Sequence, residues 1–197
     1  MTHQVVTNPN QDRNGPGLIW PVLGRFYDGV AKPFAWVALR FAVGAVLAYE
    51  GWLKMADPMA MAGFVESLNF YPGWFWSPAL GLVNLVGGLL IMVGFLTRPA
   101  ALANVVMLAI TLWYHYVNPY GSAFLTSAGI EFLKTPEAAQ YFTADAMARL
   151  GDGGARFLSQ VQGKAIFASL FWTGAAGIYA AFGGGALSLD GMLKKEF

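Results

Sequence analysis

Residues 74–96 read WFWSPALGLVNLVGGLLIMVGFL. This run holds no Asp, Glu, Lys or Arg, and at 1.5 Å per residue it is long enough to cross a hydrocarbon core about 30 Å thick. A chain in lipid must satisfy its own backbone hydrogen bonds, so the run predicts a transmembrane helix. Upstream, PFAWVALRFAVGAVLAYEGWLKM (33–55) predicts another. It starts at a proline, whose missing N–H costs nothing in a first turn. Downstream, Thr97-Arg98-Pro99 makes a tight turn into a third span at 99–116. A fourth covers 165–182 and stops at Gly183-Gly184-Gly185. The expected fold is all-α, a transmembrane four-helix bundle.

Composition agrees with that reading. The 197 residues are 56% hydrophobic and 12% charged, against roughly 25% charged in soluble domains. A net charge of +1, from 12 Lys+Arg and 11 Asp+Glu, gives no basic surface for nucleic acid. Cysteine is absent, which excludes disulfides, thiolate metal sites and c-type haem attachment. Of two histidines, His3 falls in a polar stretch, so a bis-His haem from this chain alone is not expected. No covalent cofactor is expected, and any electron carrier belongs to a partner or is a diffusible quinone.

The stretch MTHQVVTNPNQDRNGPG (1–17) lacks an apolar core and reads as a flexible tail rather than a signal peptide. LIWPVLGRFYDG (18–29) is too short to span, is broken by Pro21, and reads as an interfacial segment. Residues 1–32 are thus set apart from a membrane domain at 33–197. After Asp57-Pro58, the apolar residues Met61, Phe64, Val65 and Leu68 share one helical face. They predict a short surface helix at 59–69. In the long connection at 119–164, Thr135-Pro136-Glu137 opens another short helix, LGDGG (150–154) is a hinge, and ARFLSQVQGK leads helically into the last span.

The apolar residues of this connection, among them Phe124, Phe132 and Tyr141, must bury against something. Two readings stay open: a docking surface for other subunits of a membrane complex, or a cap over its own bundle. Arg13, Arg25, Lys32, Arg98, Lys194 and Lys195 fall on one side of the membrane. By the positive-inside tendency both termini are expected in the cytoplasm, at a bacterial-type inner membrane. Glycines 81, 87, 88 and 94, with 174 and 177, are expected at helix contacts. Ser188 and Asp190 are expected to stop a helix and fix the interface.

Three groups of residues carry a resemblance. The first span has Arg40-x3-Gly44-x6-Gly51-x2-Lys54. The second has Leu85-Val86-Gly87-Gly88, then Gly94-Phe95-Leu96-Thr97-Arg98. The end has Gly185-Ala186-Leu187-Ser188-Leu189-Asp190-Gly191. In order and spacing these resemble the DoxX family of small four-span membrane proteins, over roughly 36–118 and 165–193. Asn84 departs from the family, which often has glutamate there, and the third connection is longer than usual. The resemblance implies a membrane component associated with oxidoreductases.

Ionisable groups inside a span are costly and therefore functional suspects. Arg40 shares a helical face with Gly44, Leu47, Gly51 and Lys54. It either looks into the bundle or snorkels to the headgroups. Glu50 precedes Lys54 by four residues, the favourable order for a helical pair. Asn104, Thr111, His115 and Asn118 form a polar stripe on the third span. Glu50, Lys54 and His115, with Trp113, are the candidate cluster for a quinone head group, which needs hydrogen bonds and a flat apolar wall. An ordinary aromatic belt with one interfacial histidine is the competing account. Arg40, Asn84, Asn104 and Thr111 are secondary intramembrane candidates. The function expected is an accessory subunit of a membrane oxidoreductase, not a stand-alone enzyme. The alternative is a structural subunit decorating a larger respiratory or photosynthetic assembly. A transporter is the least favoured reading, since four spans leave little room for alternating access.

Overall fold

A computed structural model describes residues 23–185 and 187–195. Four helices are long and apolar enough to cross a membrane: α1 (Gly24–Ala56), α3 (Gly73–Val93), α4 (Thr97–Val117) and α7 (Ala155–Phe182). The protein is a multi-pass helical membrane bundle, and the described residues contain no strand.

α1 starts earlier than expected. Pro33 has no N–H to donate, which ought to interrupt a helix entering from upstream. Residues Tyr27–Ala31 absorb the defect by winding as a π-turn, with the Lys32 N–H donating to Tyr27 O. From Gly24 onward, the interfacial segment expected at 18–29 is therefore continuous with the first span. Its first five residues, and the tail, lie outside the described residues.

α3 ends at Val93 because Gly94 turns left-handed, at φ +75°. The Phe95 N–H then reaches back to Leu90 O at 3.0 Å, a Schellman-type close. α7 begins ten residues ahead of the expected span, the helical lead-in and the span forming one rod.

α1 packs on α3, α3 on α4 and α4 on α7, with a lighter contact closing α7 onto α1. Lipid tails are as apolar as leucine, so close backbone approach must hold such helices together. Glycines provide it between α1 and α3. A Cβ on Gly51 would lie 2.1 Å from Leu85 N, and one on Gly88 would lie 2.4 Å from Ala48 N. Val43, Leu47, Ile91, Ala101 and Tyr179 fill the interior in the half nearest the C-terminal segment. Gly174 and Gly177 correct an expectation: a Cβ on either would meet nothing within 4 Å. Among the described residues they make no helix contact.

The connections are built of short capped pieces. In α2 (Ala62–Ser67), Val65 is buried, while the Phe64 ring stands edge-on to Tyr114 with centroids 4.7 Å apart. Glu66 Oε1 accepts from the Gly73 N–H at 2.8 Å, placing a carboxylate at the start of α3. In the long connection, α5 (Ser127–Leu133) is capped by Thr126 and α6 (Ala144–Leu150) by Thr143. Between them Pro136–Gln140 winds as a 3₁₀ turn. Phe124 and Leu125 donate their N–H groups to Gly153 O at 2.7 and 3.2 Å, so the segment closes on itself at the foot of α7. The Asp152 carboxylate accepts from Arg156 N and Gly154 N, both at 3.0 Å. The Arg156 N–H foremost, then that of Gly154, holds this carboxyl below its ordinary value.

Candidate functional site

At the C-terminal end of the bundle one polar node joins three helix ends. Arg40 is 4% exposed. It donates to Gly184 O at 2.5 Å and Leu187 O at 2.8 Å, so its charge is spent on the segment after α7. That segment carries the short helix α8 (Leu189–Met192), capped by Ser188, whose Oγ accepts from Gly191 N at 3.0 Å. Asp190 then reaches across to the α3–α4 turn. Its two oxygens accept from Leu96 N at 2.9 Å, Thr97 N at 3.0 Å and Thr97 Oγ1 at 2.8 Å. Its own N–H donates to Gly94 O at 2.9 Å. Asp190 thus caps α4 from a distant part of the chain, where the helix dipole favours negative charge. Leu96, held at φ +47°, takes a left-handed turn that L-residues adopt at a cost of roughly 1–2 kcal/mol. A cleft of about 190 Å³ lies beside the node, lined by Pro33, Trp36, Val37, Gly185 and Leu187.

The loop end holds the groups singled out for quinone chemistry. Lys54 Nζ lies 3.7 Å from Glu50 Oε2, with the Lys54 side chain 27% exposed and Glu50 about twice as open. The Lys54 stem lies beside α3, where a Cβ on Gly81 would stand 3.3 Å from Lys54 Cβ. His115 is half-buried near the end of α4. Tyr120 Oη lies 3.4 Å from its Nδ1, and the Gln162 side chain donates to its carbonyl. Gln162 Oε1 also accepts from Tyr120 N at 3.2 Å, so one amide ties α7, α4 and the loop together. Trp113 is exposed on the outer face of α4. Among the described residues no hydrogen bond, ion pair or ring contact links His115 or Trp113 to the Glu50–Lys54 pair. α3 packs against both α1 and α4, the helices that carry these groups.

The remaining candidates lie between these ends. Thr111 Oγ1 donates to Met107 O at 3.1 Å, back into its own helix. Asn84 and Asn104 are 2% and 0% exposed. Asn104 Nδ2 donates to Ala100 O at 2.9 Å and Val83 O at 3.2 Å. Among the described residues no group donates to either amide oxygen.

Sequence reasoning named Arg40 but not its acceptors, which lie 144 and 147 residues away. It treated Asp190 as a fixture without seeing that it caps α4. The signal lay in the three residue groups that carried the resemblance, since members of each meet at this node. Gln162 gave no signal, being one polar residue among several in the lead-in to α7. The model of the DoxX family matches residues 35–117, from α1 to the end of α4. No curated protein and no solved structure matches the chain.

Proposed function

Starting from a membrane protein that carries a DoxX domain across its first three spans, we propose that it serves as an accessory subunit of a membrane oxidoreductase. It joins its partners through residues 119–164 and offers a quinone-facing site at the loop end. The observation that carries this reading is the outward surface of the long connection. Its short helices pack on one another and on α7, which leaves Phe124, Phe132 and Tyr141 exposed, Tyr141 at 73%. Phe132 and Tyr141 stand together with ring centroids 6.3 Å apart. Aromatic groups on a folded, capped module suit a protein partner better than open water.

In this reading the Lys54 ammonium and the His115 imidazole supply hydrogen bonds to a quinone carbonyl. Glu50 holds or passes a proton, and Trp113 gives a flat apolar wall. The other subunits supply the redox centres.

Replacing residues 122–152 by a short Gly/Ser linker tests the docking role. The shortened protein is expected to remain a four-span bundle and to be lost from the complex in mild detergent. Co-purification in unchanged amounts overturns the docking role. His115→Ala in the intact complex is expected to lower quinone-linked turnover without dispersing the subunits. If turnover stays at the wild-type level and no quinone accompanies the purified complex, the second function, a purely structural subunit, replaces the first.

A further inference from the structure

α4 ends at Val117, and the carbonyls of a helix's last turn have no donor within the helix. Tyr114 O is served by Asn118, through its N–H at 2.9 Å and its Nδ2 at 3.2 Å. His115 O is served from another helix, by the Gln162 side chain of α7. The orientation of that amide is settled chemically. The end at the His115 carbonyl is the nitrogen, and the end that accepts from Tyr120 N at 3.2 Å is the oxygen. One side chain thus grips the backbone at both residue 115 and residue 120. The grip brings the start of the long connection back beside the last turn of α4. There the Tyr120 and His115 ring centroids lie 5.8 Å apart, with Tyr120 Oη 3.4 Å from His115 Nδ1.

Between a phenol and a neutral imidazole the direction of the bond follows from acidity. The phenol is the better acid and the imidazole nitrogen the better base, so the Tyr120 O–H donates to Nδ1. The ring's own proton then sits on Nε2, which no hydrogen bond engages among the described residues. We infer that Gln162 and Tyr120 are positioning residues for His115, holding its Nε2 as a permanent hydrogen-bond donor to a ligand's carbonyl oxygen. In the imidazolium both nitrogens carry protons, and in the clasped neutral ring Nε2 keeps one, so the donor survives either charge state. Without the clasp, the proton of the neutral ring can move to Nδ1. Nε2 then presents a lone pair, which repels a carbonyl. That the ligand is a quinone rests on the function proposed above, whereas the location of the proton does not.

Nitrogen NMR of the full chain in nanodiscs, with ring-labelled histidine in alkaline buffer, reads that location in the neutral ring. His3→Gln removes the one other histidine. Nε2 couples to both carbon-bound ring hydrogens and Nδ1 strongly to only one, which tells the two apart. The protonated nitrogen is expected to be Nε2. Tyr120→Phe, at a half-exposed side chain, keeps the aromatic ring and is expected to draw the two resonances together as the tautomers mix. Gln162→Leu is expected to do the same by releasing Tyr120, which a merely structural tie would not produce. A proton on Nδ1 in the wild type, or resonances that Tyr120→Phe leaves unmoved, overturns the positioning role. In the intact complex, equal sharing of the two tautomers would leave half the molecules without the donor. Tyr120→Phe is therefore expected to raise KM for quinone about twofold with kcat unchanged. An unchanged KM beside a changed nitrogen signature overturns the quinone reading and leaves the clasp standing.

Discussion

A carboxylate that accepts from two backbone N–H groups and a hydroxyl, as Asp190 does, makes charge-assisted bonds that a neutral side chain replaces poorly. Asp190→Ala leaves Leu96 N and Thr97 N without their acceptor at a helix start and is expected to cost about 2–4 kcal/mol. The thermal midpoint in detergent should fall clearly, and less for Asp190→Asn, which keeps one acceptor oxygen. Wild-type midpoints for both would show that the node adds nothing to stability. Arg40 was visible in the sequence because a charge inside a span is expensive. Its partners were not visible, because they are backbone carbonyls, which no residue type announces. Lys54 and Glu50 were legible as a pair because helical spacing alone brings them together.

Elements were legible where one physical constraint dominated. The span at 74–96 followed from hydrocarbon thickness, but its end at Val93 did not, because Gly94 was expected at a helix contact and instead turns left-handed to stop the helix. The start of α1 was not legible, because a helix that leaves the hydrocarbon no longer needs apolar residues to continue, whereas the helical lead-in expected from Ala155 matches the start of α7. The helices α5 and α6 span seven residues each, too few to show a period, and neither was expected; the short helix expected at Thr135-Pro136-Glu137 is the 3₁₀ turn Pro136–Gln140 between them. Helix contacts make a paired prediction. Gly51→Ala drives a Cβ into the α3 backbone and should cost about 1–3 kcal/mol. Gly174→Ala meets open space and should be neutral or stabilise by up to about 1 kcal/mol through helix propensity. Equal thermal shifts for the two would refute glycine-mediated packing of α1 on α3. At the foot of α7 the prediction concerns pH. Asp152 has a depressed carboxyl in the folded state, so its support for the first turn is complete above the unfolded value of about 3.9. That support is lost as pH falls through the lower folded value. Amide exchange at Gly154 and Arg156 should therefore stay protected down to about pH 4 and weaken below it, whereas Asp152→Ala removes the pH step.

For the whole molecule, the number of spans was legible and their neighbours were not. Nothing in the sequence said that α1 would pack on α3 and α4 on α7, with only a light seam between α7 and α1. The even span count places the C-terminal segment and the α3–α4 turn at one end, and both longer connections at the other. Which end faces the cytoplasm depends on charge. Arg25, Lys32, Arg98, Lys194 and Lys195 gather at the C-terminal end. At the loop end, Lys134, Arg149, Arg156 and Lys164 lie in or beside one long connection, where basic residues weigh less on orientation. The C-terminal end is accordingly expected in the cytoplasm. A chain without cysteine allows single probes on a clean background, and Ser127 and Met192 are exposed at opposite ends. Ser127→Cys should react with a membrane-impermeant maleimide once the outside of the inner membrane is accessible. Met192→Cys should react only after that membrane is permeabilised. Both changes leave the charge balance untouched, so neither biases the insertion it reports. The reverse pattern would invert the protein and move the Glu50–Lys54 pair, with the whole docking module, to the cytoplasmic side. Any partner would then have to be sought there.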